Sequence, residues 1–169
     1  MNDNLSGLSA TEISDGVKVG SFSAEAVVEA CLNHIERRDK DVMAWECIKP
    51  ELSLSQARSV DAEPEKGLLA GVPVGIKDII ATRDMPTGMG SSIYDGYIAP
   101  VDATCVARLR SAGAIIVGKT VTCEFAGLTA GKTTNPLDPL RTPGGSSSGS
   151  CAAVADGMVP IALGTQTGG

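Results

Sequence analysis

The stretch GAIIVGKT, residues 113–120, fits the phosphate-cradling pattern G-x-x-x-x-G-K-[ST] without a mismatch. Two readings of it lead to two different folds. As a phosphate loop, its four variable positions form an irregular turn whose N–H groups face an anion, after a strand and before a helix. As plain structure, Gly113 closes a helix and the following residues begin a buried strand. The variable positions are Ala114, Ile115, Ile116 and Val117, an apolar, strand-forming run. The residues after the stretch, VTCEFAGL (121–128), open a helix poorly. Those before it, ATCVARLRSA (103–112), read as a helix that Asp102 can cap and Gly113 terminates. The second reading wins, and nucleotide binding at this stretch is rejected.

Working outward, the same strand-and-helix alternation recurs. GVPVGI (71–76) reads as a short strand with Lys77 and Asp78 at its end. SGSCAAVADG (148–157) reads as a short helix of small residues, and MVPIAL (158–163) as the next strand. Upstream, LSATEIS (8–14) carries a capping box at Ser9 and Glu12 and a hydrophobic staple at Leu8 and Ile13, so a helix starts there and ends by Gly20. A second helix starts near Ser23 and gathers Val27, Val28, Cys31, Leu32 and Ile35 on one face. His34 flanks that face and reads as a packed or solvent-edge histidine. The polar stretch from Leu52 to Lys66 is expected to hold a further helix before Gly67. Strands alternating with helices predict an α/β fold with a substantially parallel sheet.

Composition narrows the function classes. With 43% apolar and 20% charged residues, the 169-residue chain reads as globular and large enough for one real core. Its formal charge of −6, with scattered basic residues, argues against nucleic acid as the main partner. The five cysteines include no C-x-x-C pair and only one histidine accompanies them, so neither a zinc site nor another metal is expected. Reduced thiols and an N-terminus without signal-peptide regions predict a cytoplasmic protein, and no apolar run is long enough to span a membrane.

A second glycine-rich stretch, TPGGSSSGSCAAVADG (142–157), contains G-x-S-x-G at residues 145–149. A hydrolase nucleophile elbow needs a strand before it and a histidine and an acid after it. RTPGG is not a strand, and nothing suitable follows. A flexible Gly/Ser linker is the plainer alternative, but linkers seldom run straight into buried elements.

The chain resembles the amidase signature family through an ordered set of motifs. These are GVPVGIKD (71–78), DATCVARLRSAGAIIVGKT (102–120), EFA (124–126), Asn135-Pro136 and GGSSSGSCAAVADGMVPIALGTQTGG (144–169). The likeness covers roughly residues 67–169. It implies a mixed, largely parallel central sheet covered by helices, of which this sequence is the N-terminal portion. Residues 1–66 would be a helical segment packing on the core, and residues 67–169 the N-terminal half of that core.

The resemblance also implies a chemistry. Family members hydrolyse amides with a Ser–cis-Ser–Lys triad and no histidine. Lys77 matches the catalytic lysine and Ser146 the bridging serine, whose preceding peptide bond is cis in the family. Thr167, Gly168 and Gly169 match the oxyanion-hole segment, and Thr165 is expected to help order that loop. The attacking serine would directly follow Gly169, so the sequence is expected to be one segment of a longer enzyme. Lys119, the other lysine at a strand end, matches a structural part of the pattern. Cys151 stands where the family often has alanine and reads as small core packing.

Physical logic supports this placement of Lys77. A lysine acts as a base only when neutral, and burial at the end of an apolar strand lowers its pKa. The competing reading is a solvated lysine paired with Asp78. The expected function is an amidohydrolase acting on a small-molecule amide, malonamidase-like, with no cofactor and, by resemblance, a homodimer. The alternatives are the A-subunit of a tRNA-dependent amidotransferase, which would need partner subunits and glutamine, and a non-catalytic amidase-like fragment.

Overall fold

A computed structural model describes residues 5–167 of the chain. Helix α1 (Ala10–Val19) starts where the sequence predicts. The Ser9 side chain accepts from Glu12 N at 3.3 Å, and the Glu12 carboxylate accepts from Ser9 N at 2.8 Å. Gly20, with φ 74°, ends it in the left-handed region. Helix α2 (Ala24–Val42) is capped by Ser23 and buries Val27, Val28, Cys31 and Ile35 on the expected face. Strand β1 (Trp45–Ile48) and helix α3 (Pro50–Ala62) follow. Then come β2 (Pro73–Lys77), α4 (Thr104–Ser111), β3 (Ile115–Thr120), α5 (Ser148–Ala155) and β4 (Ile161–Leu163).

The four strands form one sheet in the order β1-β3-β2-β4. Strand β2 lies parallel to both β3 and β4, and β1 runs antiparallel to β3. The sheet is thus mixed and largely parallel, as expected. The stretch 113–120 is settled with it: Gly113 turns at φ 88° after α4, and every residue of β3 is buried. Ile13 and Val17 of α1, Val27 and Val28 of α2, Val74 and Ile76 of β2, and Ile115 and Ile116 of β3 meet in one apolar cluster. Each such side chain, fully buried, contributes about 1.5–3 kcal/mol. A second cluster joins Ile35, Trp45, Val117, Ala152, Ala153, Met158 and Val159. There the buried Trp45 donates its Nε1–H to Met158 Sδ at 3.2 Å.

Three local expectations are corrected. Asp102 does not cap α4: Ala103 is the N-cap, without a side-chain bond. The Asp102 carboxylate instead accepts from Arg83 N at 3.0 Å and lies 3.2 Å from Arg110 Nε, the stronger use of a nearly buried charge. The strand expected over 158–163 is confined to Ile161–Leu163. Pro160 has no N–H to give a ladder, and Met158 and Val159 turn into the second cluster. Helix α3 begins at Pro50 rather than Leu52, since proline suits the first helical position.

Candidate active site

The carboxyl ends of parallel strands are where α/β proteins place their sites. Here β2 ends at Lys77, and β4 ends at Leu163, which leads into Gly164 and Thr165. The third contributor is the segment 142–147 before α5. Its position is fixed by Gly149 in the first turn of that helix. A Cβ at Gly149 would fall 2.2 Å from Ala44 O and 2.4 Å from Val121 N. Only glycine lets the helix start that close to the backbone. Gly149 N donates to Val121 O at 3.0 Å across this contact.

Lys77 is fully buried, yet its ammonium end meets two hydroxyls. Nζ donates to Ser146 Oγ at 2.7 Å and to Thr165 Oγ1 at 2.6 Å. The peptide bond between Gly145 and Ser146 is cis. Ser147 holds Thr165 from the other side: its Oγ accepts from Thr165 N at 3.1 Å and donates to Thr165 O at 3.2 Å. One helix turn on, Ser150 Oγ donates to Leu163 O at 2.8 Å and lies 2.7 Å from Thr120 Oγ1, tying α5 to β4 and β3. Lys77, Ser146 and Thr165 thus sit in a network of short bonds between secondary-structure elements.

Burial pushes the Lys77 pKa down, because the charged form loses its water. Cys123 and Cys151 oppose this weakly through their negative charge when ionised. The solvated Lys77–Asp78 pair weighed from the sequence does not form. Asp78 instead bonds Lys119, Oδ1 to Nζ at 3.1 Å, with both side chains buried. Lys119 therefore has a carboxylate partner and no place beside Ser146.

A cleft of about 380 Å³ opens over Ser146 and Thr165, with Cys123, Leu128, Thr142 and Thr167 on its walls. Thr167 thus lies in the cleft, while Gly168 and Gly169 fall outside the described residues. Cys123 carries no signal in the sequence. Its Sγ packs where a Cβ on Gly145 would come, at 2.7 Å, so it backs the glycine before the cis bond. No spacing rule marks it, because the contact joins two loops far apart in the chain. His34 faces Asp156 on the far end of α5, with Nε2 2.9 Å from Asp156 O, and takes no part in the cleft. Among the described residues no cluster of three or more His, Cys, Asp or Glu is placed to hold a metal, and no helix is long and apolar enough to cross a membrane.

Comparison with known proteins places the fold in a family. Residues 26–169 match the Amidase family. The chain is 41% identical over 172 aligned positions to the glutamyl-tRNA(Gln) amidotransferase A-subunit of Natranaerobius thermophilus, covering 96% of the chain and 35% of that protein. It is 45% identical to the protein of the same name from Rhodopirellula baltica, covering 95% of the chain and 34% of that protein. The chain thus spans about a third of the length of these curated relatives.

Among solved structures, it superposes with a TM-score of 0.88 and 36% identity on a vestigial complex related to the origins of an s-triazine catabolic enzyme, covering 93% of the chain and 37% of the other. For the peptide amidase of Stenotrophomonas maltophilia the TM-score is 0.84 at 31% identity, with 91% and 35% covered. By sequence match and by fold, the chain belongs to the amidase signature family.

Proposed function

We propose that this chain carries the lysine and the bridging serine of an enzyme that breaks amide C–N bonds through an acyl-enzyme, and that it works in the manner of a glutamyl-tRNA(Gln) amidotransferase A-subunit. The observation that carries this reading is the 2.7 Å contact between buried Lys77 and Ser146 beside an open cleft. A neutral amine has two N–H donors and one lone pair. Donation to Thr165 at 2.6 Å orients the amine so that its lone pair can face Ser146.

In this mechanism Ser146 passes a proton to Lys77 and takes one from a serine directly following Gly169. That serine attacks the amide carbonyl. Backbone N–H groups near Thr167, Gly168 and Gly169 stabilise the oxyanion. The proton returns through Ser146 to the leaving nitrogen, and a second nucleophile releases the acyl group with Lys77 again as base. The curated relatives favour the amidotransferase reading over the malonamidase-like one, so partner subunits replace the homodimer as the expected assembly.

The test is intact-mass analysis of the complete protein mixed with glutamine or malonamide and quenched in acid. An acyl adduct on the serine after Gly169, lost in Lys77→Met and Ser146→Ala, supports the mechanism. Ammonia release from glutamine that rises when partner subunits are added supports the amidotransferase assignment. Turnover of malonamide by the protein alone supports the small-carboxamide reading. Unaltered turnover in both variants overturns the mechanism.

A further inference from the structure

Asp78 follows the proposed base directly in sequence, and a carboxylate so close would hold an amine cationic. The fold handles this charge in a specific way. In the parallel pairing of β2 with β3, Lys77 is opposite Thr120 and Ile76 is opposite Lys119. Paired residues share a face of the sheet, so Lys77 and Thr120 point toward α5 and Lys119 points the other way. The Thr120–Ser150 and Lys77–Ser146 contacts agree with that assignment.

On the opposite face Lys119 Nζ meets Asp78 Oδ1 at 3.1 Å, Thr87 Oγ1 at 2.7 Å and Pro86 O at 3.1 Å. The other carboxylate oxygen, Asp78 Oδ2, accepts from Gly88 N at 2.9 Å. The backbone of Asp78 is held as well: its N donates to Thr120 O at 2.9 Å, and its O accepts from Met89 N at 3.0 Å. Both carboxylate oxygens of Asp78 are thus engaged on the side away from Ser146, and its backbone N and O are bonded as well.

We propose that Lys119 is a positioning residue for Lys77: by binding Asp78 on the far face of the sheet, it cancels the charge beside the base and lets Lys77 lose its proton. This rests on the reading of Lys77 as the base. The charged and titratable groups around the two lysines are few. Cys123 and Cys151 lie about Lys77, and Asp78 adjoins it in sequence. Glu46 and Cys47 of β1, Asp84, and the cavity-lining Asp95 and Lys132 lie about the Asp78–Lys119 pair. None of these offers Asp78 a replacement cation at bonding distance among the described residues. Burial pushes the Asp78 pKa up and the Lys119 pKa down, and their mutual attraction opposes both shifts.

The test reads the protonation of Lys77 itself, so it stands apart from catalysis. The complete protein is labelled with [ε-13C]lysine, the Lys77 signal is assigned by its loss in Lys77→Met, and its pH titration is followed. Lys119→Gln removes the cation but keeps a donor for Thr87 or Asp78. In that variant the Lys77 midpoint is expected to rise by about half to one pH unit. In the doubly neutral Asp78→Asn/Lys119→Met protein it is expected to return to the wild-type value. Should Lys119→Gln fail to fold, Asp78→Asn alone carries the test. It leaves the Lys119 cation unbalanced, so the Lys77 midpoint is expected to fall by about half to one pH unit and to return in the double variant. A midpoint unmoved in the single variant, or displaced equally in the double one, overturns the proposal. Loss of catalysis by Lys77→Met is measured separately, so failure of the base assignment shows up without affecting this result.

Discussion

Replacing Gly149 by alanine tests whether the start of α5 sets the site. The new Cβ would sit 2.2 Å from Ala44 O and 2.4 Å from Val121 N, against 3.4 Å for ordinary contact. Both obstacles are backbone in or beside the sheet, so the helix must give way, by about 1 Å. Overpacking of this kind costs about 1–3 kcal/mol. Weakening the Gly149–Val121 hydrogen bond adds about 1–3 kcal/mol where the groups stay buried. Alanine returns at most about 1 kcal/mol through helix propensity, and less in a first turn. The net expectation is a loss of about 1–6 kcal/mol. Because Ser146 and Ser147 precede this helix directly, the Lys77–Ser146 contact should lengthen too, and a misplacement near 1 Å costs about 10²-fold in rate. Urea denaturation of the complete protein gives the first quantity, and the rate of acyl-enzyme formation gives the second. A Gly149→Ala protein with an unchanged midpoint and rate would refute the idea that this contact positions the serine.

Lys77→Met should abolish acyl-enzyme formation while leaving the fold intact by circular dichroism, since methionine fills the buried stem. The wild-type rate should rise with pH as Lys77 deprotonates. Stability should rise with pH as well, between the depressed folded-state pKa and the ordinary 10.5, because the unfolded chain binds more protons there; Lys77→Met should remove that slope in a series of urea titrations. Thr165→Val removes the 2.6 Å partner of Lys77 and should slow acylation by about 10- to 100-fold with little change in KM, measured by steady-state kinetics. Ile116→Ala, at a fully buried position of β3, should cost about 2–5 kcal/mol in denaturation while the acylation rate of the folded fraction holds.

Elements with their own local signal were legible in sequence. The Ser9–Glu12 box fixed the start of α1, and the apolar run 114–117 announced β3 because a buried parallel strand needs no alternation. Strand β1 was not legible. Trp-Glu-Cys-Ile has no strand signature of its own, and it is defined by its register with Gly118, Lys119 and Thr120. Asp102 shows the same limit. Its cap signal is local, but the Arg83 backbone that claims it lies 19 residues upstream, and Arg110 reaches it from the last turn of α4. At the site, motif likeness pointed to Lys77 and Ser146. It could not show that Asp78 would turn away to Lys119, because that depends on which face of the sheet each strand residue takes.

The burial of Trp45 against Met158 has a practical consequence. It is the single tryptophan of this sequence, and its ring lies where β1, β3 and the end of α5 meet. Its emission, read by difference against Trp45→Phe, is therefore a gauge of the scaffold behind the cleft. A red shift on perturbation would report loosening of this junction, independently of any turnover assay.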